Sequence, residues 1–182
     1  MIHLSEGHRP LGALGYVEAA GEILDQAAAL DIDFDAIVVP TGSGATHAGL
    51  LVGLRAAGSK VPVHGVCVRR DAGAQAPRIL RAARATEDEL AAGELVAKSD
   101  VVAHDDWLAP GYGHPSESTL EAIRVAARRE GLLLDPVYSG KAFAGLLGLV
   151  RRGDLGAHES ILFVHTGGTP ALFGYANLLA DI

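Results

Sequence analysis

Three short segments carry the residue types that can do chemistry. The first is Pro40-Thr41-Gly42-Ser43-Gly44-Ala45-Thr46-His47-Ala48-Gly49, which follows an apolar run and opens a helical pattern. Small residues let a backbone come close to an anion, and a helix N-terminus adds unpaired N–H groups and a favourable dipole. Ser43 and Thr46 add hydroxyl donors. The loop lacks the lysine of a nucleoside-triphosphate loop and the three-glycine spacing of a dinucleotide loop. Its chemistry is therefore that of a monophosphate or a carboxylate, with a tight turn that binds nothing as the alternative. The second segment, His165-Thr166-Gly167-Gly168-Thr169-Pro170, repeats the order strand, glycine loop, helix. The third is Asp135-Pro136-Val137-Tyr138-Ser139-Gly140-Lys141. Pro136 stiffens that turn and presents Tyr138 near a helix start, where a tyrosine is either a packed core residue or a proton-transfer group. Lys141 reads as a solvated first-turn residue, and Lys60 and Lys98 read as surface positions.

These segments need elements to hold them. Leu14, Val17, Ile23, Leu24 and Leu30 share one face of a helix over 11–30. Ala36-Ile37-Val38-Val39 is a short buried strand, and a helix over 46–57 follows the glycine loop. A strand over 61–68, a helix from Pro77 to Ala97 and a strand over 101–103 come next. Ser118 with Glu121 is spaced as a capping box for a helix to Arg129. Another helix spans 139–152, a strand spans 161–164, and Pro170 suits the first turn of a last helix. Strands alternating with helices imply a single α/β domain over 1–182, a doubly wound parallel sheet in three αβα layers. In such sheets ligands bind at the carboxyl ends of the strands, where both glycine loops fall.

Composition removes other classes. The chain has 182 residues and a formal charge of −7, without the clustered basic residues that nucleic-acid binding needs. Arg69-Arg70 and Arg128-Arg129 read as solvated ends of elements. No apolar run approaches the roughly 18 residues of a membrane span, and Met1 to His8 does not have the pattern of a secretion signal, so the expected compartment is the cytoplasm. Cys67 sits in an apolar run and reads as a buried thiol. No metal-ligand spacing stands out.

Together the segments resemble the D-cysteine desulfhydrase and ACC deaminase family of pyridoxal-5′-phosphate (PLP) enzymes. The likeness runs through Pro10 to Glu18, Thr41 to Gly49, Leu134 to Ala142 and Phe163 to Tyr175. It implies the fold-type-II, tryptophan synthase β-like architecture. It also implies a PLP phosphate held by Gly42, Ser43, Gly44, Ala45 and Thr46. Tyr138 matches the family tyrosine that faces substrate and cofactor, and Thr166 matches the position that hydrogen-bonds the pyridine nitrogen in desulfhydrase-like members. ACC deaminases carry a glutamate where this chain has Ser139 and an apolar residue where it has Thr166. Both differences favour desulfhydrase-like β-elimination of a good leaving group such as a thiol.

The resemblance covers only the C-terminal half of that family. The lysine that carries the cofactor lies in the other half, and Lys141 matches a different position. Glu6-Gly7-His8-Arg9 departs from the family's Gly-Gly-Ser-type segment towards the deaminase form. Three explanations stand: a split enzyme with a lysine-bearing partner subunit, a non-catalytic phosphate-binding or regulatory remnant, or a piece of a longer chain. Met1 directly before Ile2-His3-Leu4 suits a natural start. A half-site also implies association, with that partner or with a second copy. The Leu11–Leu30 helix and the loop from Asp105 to Pro115, with Trp107 and Tyr112, are the expected contact elements.

Overall fold

The computed structural model describes residues 8–156 and 160–179. The Met1–Leu4 start and the Glu6-Gly7 pair lie outside the described residues. Four parallel strands form one sheet: β1 (Ala36–Thr41), β2 (Val63–Cys67), β3 (Val101–His104) and β4 (Ile161–Phe163), in the order β3-β2-β1-β4. All six residues of β1 are buried, because a central parallel strand is covered on both faces. Its alternate side chains serve opposite sides. Ile37 and Val39 pack with Leu51, Ile79 and Ala83, whereas Ala36 and Val38 pack with Val66, Ala142 and Leu149.

The first of those sides is covered by α2 (Ala45–Ala56) and α3 (Ala72–Glu89), with α1 (Leu11–Ala29) laid over α2. The second is covered by α5 (Ser139–Arg152), against which α4 (Glu117–Glu130) packs. Two four-residue helices, α6 (Ala171–Gly174) and α7 (Ala176–Leu179), follow β4. The doubly wound αβα expectation holds. From β1 the chain steps outward to β2 and β3, then returns to place β4 on the other side of β1. That reversal makes the carboxyl ends of β1 and β4 a topological switch point, where a crevice opens.

Several boundaries differ from the sequence reading. Helix α3 begins five residues before Pro77, because the Asp71 side chain accepts from Ala74 N at 2.8 Å and caps it there. It ends at Glu89, well short of Ala97. Buried Glu87 accepts from Leu95 N and Val96 N at 2.9 and 2.7 Å and folds the chain back after the helix. Helix α4 is capped by Ser116, which accepts from Thr119 N at 3.2 Å, and not by Ser118. No described helix is long and apolar enough to cross a membrane.

The contact between α1 and α2 is backbone-close. A Cβ at Gly49 would lie 2.2 Å from the Ala13 carbonyl and 2.7 Å from Tyr16 Cβ. This contact brings Tyr16 to the crevice wall. Replacing Gly49 with Val should force the helices apart and cost about 1–3 kcal/mol. Urea unfolding should show a lower midpoint with an unchanged slope. An unchanged midpoint would mean that the close approach contributes nothing.

Candidate active site

The crevice at the switch point holds about 270 Å³ and is lined by Tyr16, Thr41 to Gly44, Thr46, Tyr138 and Thr166 to Gly168 among others. The structure thus brings the three chemistry-bearing segments to one place. Gly42, Ser43, Gly44, Thr46, Tyr138 and Thr166 all face the same space. Ala45 is set behind it as the first residue of α2, and its amide donates to Ser43 Oγ at 3.3 Å. Gly44 caps α2 with φ of +90° and no side-chain bond. That left-handed conformation is one glycine adopts without strain, and no Gly44 side chain competes with an anion for the N–H groups that follow Ala45.

The Tyr138 turn is organised by Asp135, which is 1% exposed. Its Oδ2 accepts from Val137 N and Tyr138 N, each at 2.8 Å. Its Oδ1 accepts from Ser139 N at 2.8 Å and from the Ser139 hydroxyl at 2.6 Å. Ser139 Oγ in turn accepts from Asp135 N at 2.8 Å. Ser139 is therefore sealed inside the turn. The same carboxylate fixes the other loop: a Cβ at Gly168 would lie 2.6 Å from Asp135 Oδ1. That loop is braced further by His165, whose Nδ1 accepts from Gly167 N at 3.1 Å. The proton then sits on Nε2, which donates to the Leu133 carbonyl at 3.1 Å.

Tyr138 packs against the phosphate-type loop, with its Cε1 3.1 Å from where a Gly42 Cβ would stand. Its hydroxyl lies 2.9 Å from that of Tyr112, and the rings meet edge-on at 84°. Burial, and then the bond to Tyr112, push the Tyr138 phenol up to about 12. It is protonated at neutral pH. Arg69 lies over the Tyr112 ring, 5.6 Å from its centre.

Several residues depart from their sequence reading. Lys141 is fully buried, not solvated. Its ammonium donates to the Leu108 carbonyl at 2.9 Å and to the Gly111 carbonyl, and burial lowers its pKa. It pins the loop that carries Tyr112. Arg70 is half-buried, not a solvated strand end, and donates to the Gly42 carbonyl at 3.0 Å. Trp107 packs over Gly148 of α5 and is half-buried, whereas Tyr112 of the same loop is exposed. Tyr112 as the partner of Tyr138 escaped the sequence because the two are 26 residues apart and meet only through the tertiary fold. Cys67 is buried as expected, and burial raises its thiol to about 12.

A parallel α/β sheet with a glycine-rich loop, an open helix start and a protonated tyrosine at its switch point is an arrangement suited to a small anionic ligand. Comparison with known proteins makes this specific. Residues 1–167 match the family described as pyridoxal-phosphate dependent enzyme. The chain is 45% identical over 169 residues to a D-cysteine desulfhydrase from Klebsiella pneumoniae (strain 342), covering 93% of this chain and 50% of that protein. It superposes on the crystal structure of an ACC deaminase homologue with a TM-score of 0.84 at 38% identity, over 94% of this chain and 50% of that one. A T.th. threonine deaminase, at 22% identity and a TM-score of 0.53 over 86% of this chain and 57% of that one, shares the fold. The chain belongs to the pyridoxal-phosphate dependent enzyme family, and its architecture is that of the fold-type-II members. It spans about half the length of the relatives it matches. The uncapped start of α2 and the small residues of the cradle fit the PLP phosphate.

Behind the loop, His47 is fully buried, and neither ring nitrogen has a hydrogen-bond partner among the described residues. Burial holds the imidazole down to about 3; the Val63 carbonyl opposes that shift from outside bonding geometry, and His64 and His104 add to it. The unfolded chain takes up this proton near pH 6.5 and the folded chain only near 3. Neutral His47 therefore supports the fold above pH 6.5, and that support is lost as pH falls towards 3, at up to about 1.4 kcal/mol per pH unit. Urea titrations between pH 7 and 5 should show a flatter pH slope for His47→Gln than for the parent. Equal slopes would contradict this assignment.

Proposed function

We propose that this chain supplies the phosphate-binding part of a D-cysteine desulfhydrase-like lyase site, and that a lysine-bearing part outside this chain completes it. The observation that carries the reading is the joint retention of Gly42 to Thr46, Tyr138 and Thr166 on one crevice, with no lysine among the residues lining it. Lys60 and Lys98 are exposed, and the Lys141 ammonium is committed to two carbonyls. The completing part is a partner subunit or the rest of a longer chain. Two surfaces favour such a complement. Among the described residues β4 has a strand on one side only. Beside it an apolar groove of about 320 Å³ opens between Leu133, Leu172 and Phe173, the last 86% exposed. Among the described residues Phe173, in this groove, is the most exposed large apolar side chain, and Leu11 and Leu30 at the ends of the first helix are exposed as well.

In this reading the residues divide the work. Ser43, Thr46 and the N–H groups at the start of α2 hold the phosphate. Thr166 offers the ring nitrogen a neutral hydroxyl, which does not keep that nitrogen protonated as a carboxylate would. PLP supplies an electron sink for the carbon beside the substrate amino group. Tyr138, held protonated and bonded to Tyr112, gives a proton at the substrate. The net reaction consumes D-cysteine and water and releases sulfide, ammonia and a 2-oxo acid. Ser139, buried against Asp135, has the place of the deaminase glutamate and points no acid into the crevice. This favours a desulfhydrase over a deaminase.

The test is to add the lysine-bearing part, from an adjacent reading frame or a relative's N-terminal half, and assay sulfide release from D-cysteine. Activity should appear only in the mixture. Tyr138→Phe should cut turnover about 10²–10⁴-fold and change PLP affinity little. A mixture that binds PLP, forms a stable complex and releases no sulfide would favour a non-catalytic phosphate-binding remnant. A Ser43→Ala, Thr46→Ala double change should lower PLP affinity at least tenfold by calorimetry, two charge-assisted bonds being worth about 1.5–3 kcal/mol each. Unchanged affinity would remove the loop from the site.

A further inference from the structure

Among the described residues the crevice wall carries no lysine or arginine, yet a phosphate ester brings close to two negative charges at neutral pH. The charge lies on the far side of the loop. Arg70 Nη1 donates to the Gly42 carbonyl at 3.0 Å, and Arg78 Nε donates to the Ser43 carbonyl at 2.7 Å. Gln75 Nε2 donates to Thr41 Oγ1 at 2.9 Å and to the Gly42 carbonyl at 3.3 Å. None of the three lines the crevice.

A trans peptide points its C=O and its N–H in opposite directions. The Gly42 carbonyl shares its peptide with Ser43 N–H, and the Ser43 carbonyl shares its peptide with Gly44 N–H. Holding both carbonyls towards α3 therefore turns both N–H groups away from α3, to the crevice side of the loop. Donors on those carbonyls also polarise the N–H groups of the same peptides. Gln75, Arg78 and Ile79 follow helical spacing on one face of α3, and Ile79 seats Gly44, lying 3.5 Å from where its Cβ would stand.

We propose that Arg70, Gln75 and Arg78 are positioning residues that form an outer clamp on the cradle. They fix the direction of the Ser43 and Gly44 N–H groups and supply, through one layer of backbone, the positive charge that the crevice lacks. The loop thereby selects a doubly charged phosphate ester over an uncharged analogue. This rests on the reading that Gly42 to Thr46 holds the PLP phosphate.

The test compares PLP with pyridoxal, the same ring without phosphate, by calorimetry on the whole chain. It is joined to ³¹P NMR of bound PLP across pH. The parent should bind PLP at least tenfold tighter than pyridoxal. An Arg70→Gln, Arg78→Gln double change should erase most of that preference, leave pyridoxal affinity within twofold, and raise the pH at which the bound phosphate titrates. Arg78→Lys should restore part of the loss. A folded double variant with the parental preference and the parental ³¹P titration would overturn the clamp while leaving the cradle intact. A parent with no preference for PLP would overturn the phosphate reading itself. If the double variant does not fold, Arg70→Gln and Arg78→Gln are read singly. A threefold or greater loss confined to PLP supports the clamp, and parental affinity in both overturns it.

Discussion

The site depends on one buried carboxylate. Asp135 has lost its water, a cost of several kcal/mol unless hydrogen bonds replace it. Three backbone amides and one hydroxyl do so. Charge-assisted bonds of this kind are about twice as strong as neutral ones, so the turn from Asp135 to Ser139 has one stable conformation. That conformation stands Tyr138 at the crevice wall. It also leaves room beside Asp135 for a glycine alone at position 168, two residues after Thr166. Tyr138 then bears on Gly42. Three segments distant in sequence are thus registered through a single side chain.

Around that point the sheet supplies direction and the helices supply charge. Strands β1 and β4 both end at the switch point, so their glycine loops face each other across the crevice. Helix α2 starts there with no side chain capping it, and its dipole favours an anion. Burial and Tyr112 raise the Tyr138 phenol further above neutrality, and among the described residues that line the crevice none carries a fixed negative charge. Buried Lys141 belongs to the same design: it ties the Tyr112 loop to α5 and so keeps the two tyrosines in contact.

What was legible in the sequence follows the range of the interaction. The four strands, the glycine loops and the αβα layering are written in short runs, and the two loops do meet. Helix ends set by a single side chain were less legible. Asp71 caps α3 ahead of Pro77, and Ser116 rather than Ser118 caps α4, because several residues at each end were chemically able to cap. Roles that depend on tertiary contact were not legible at all. Lys141 looked like an ordinary first-turn lysine until the Leu108 and Gly111 carbonyls stood above it. Arg70 looked like a solvated strand end until Gly42 came within reach. Asp135 gave a fainter signal: an acidic residue four positions before a serine at a helix start is spaced for this kind of turn.

The central claim is that this chain holds PLP by its phosphate, without a covalent bond, at the junction of the three segments. A crystal structure of the chain grown with PLP tests it most directly. The expected result is a phosphate within hydrogen-bond distance of Ser43, Gly44 and Thr46, the ring nitrogen facing Thr166, and no bond from the cofactor to Lys60, Lys98 or Lys141. PLP joined covalently to Lys141, or bound away from the Gly42 to Thr46 loop, would contradict the account.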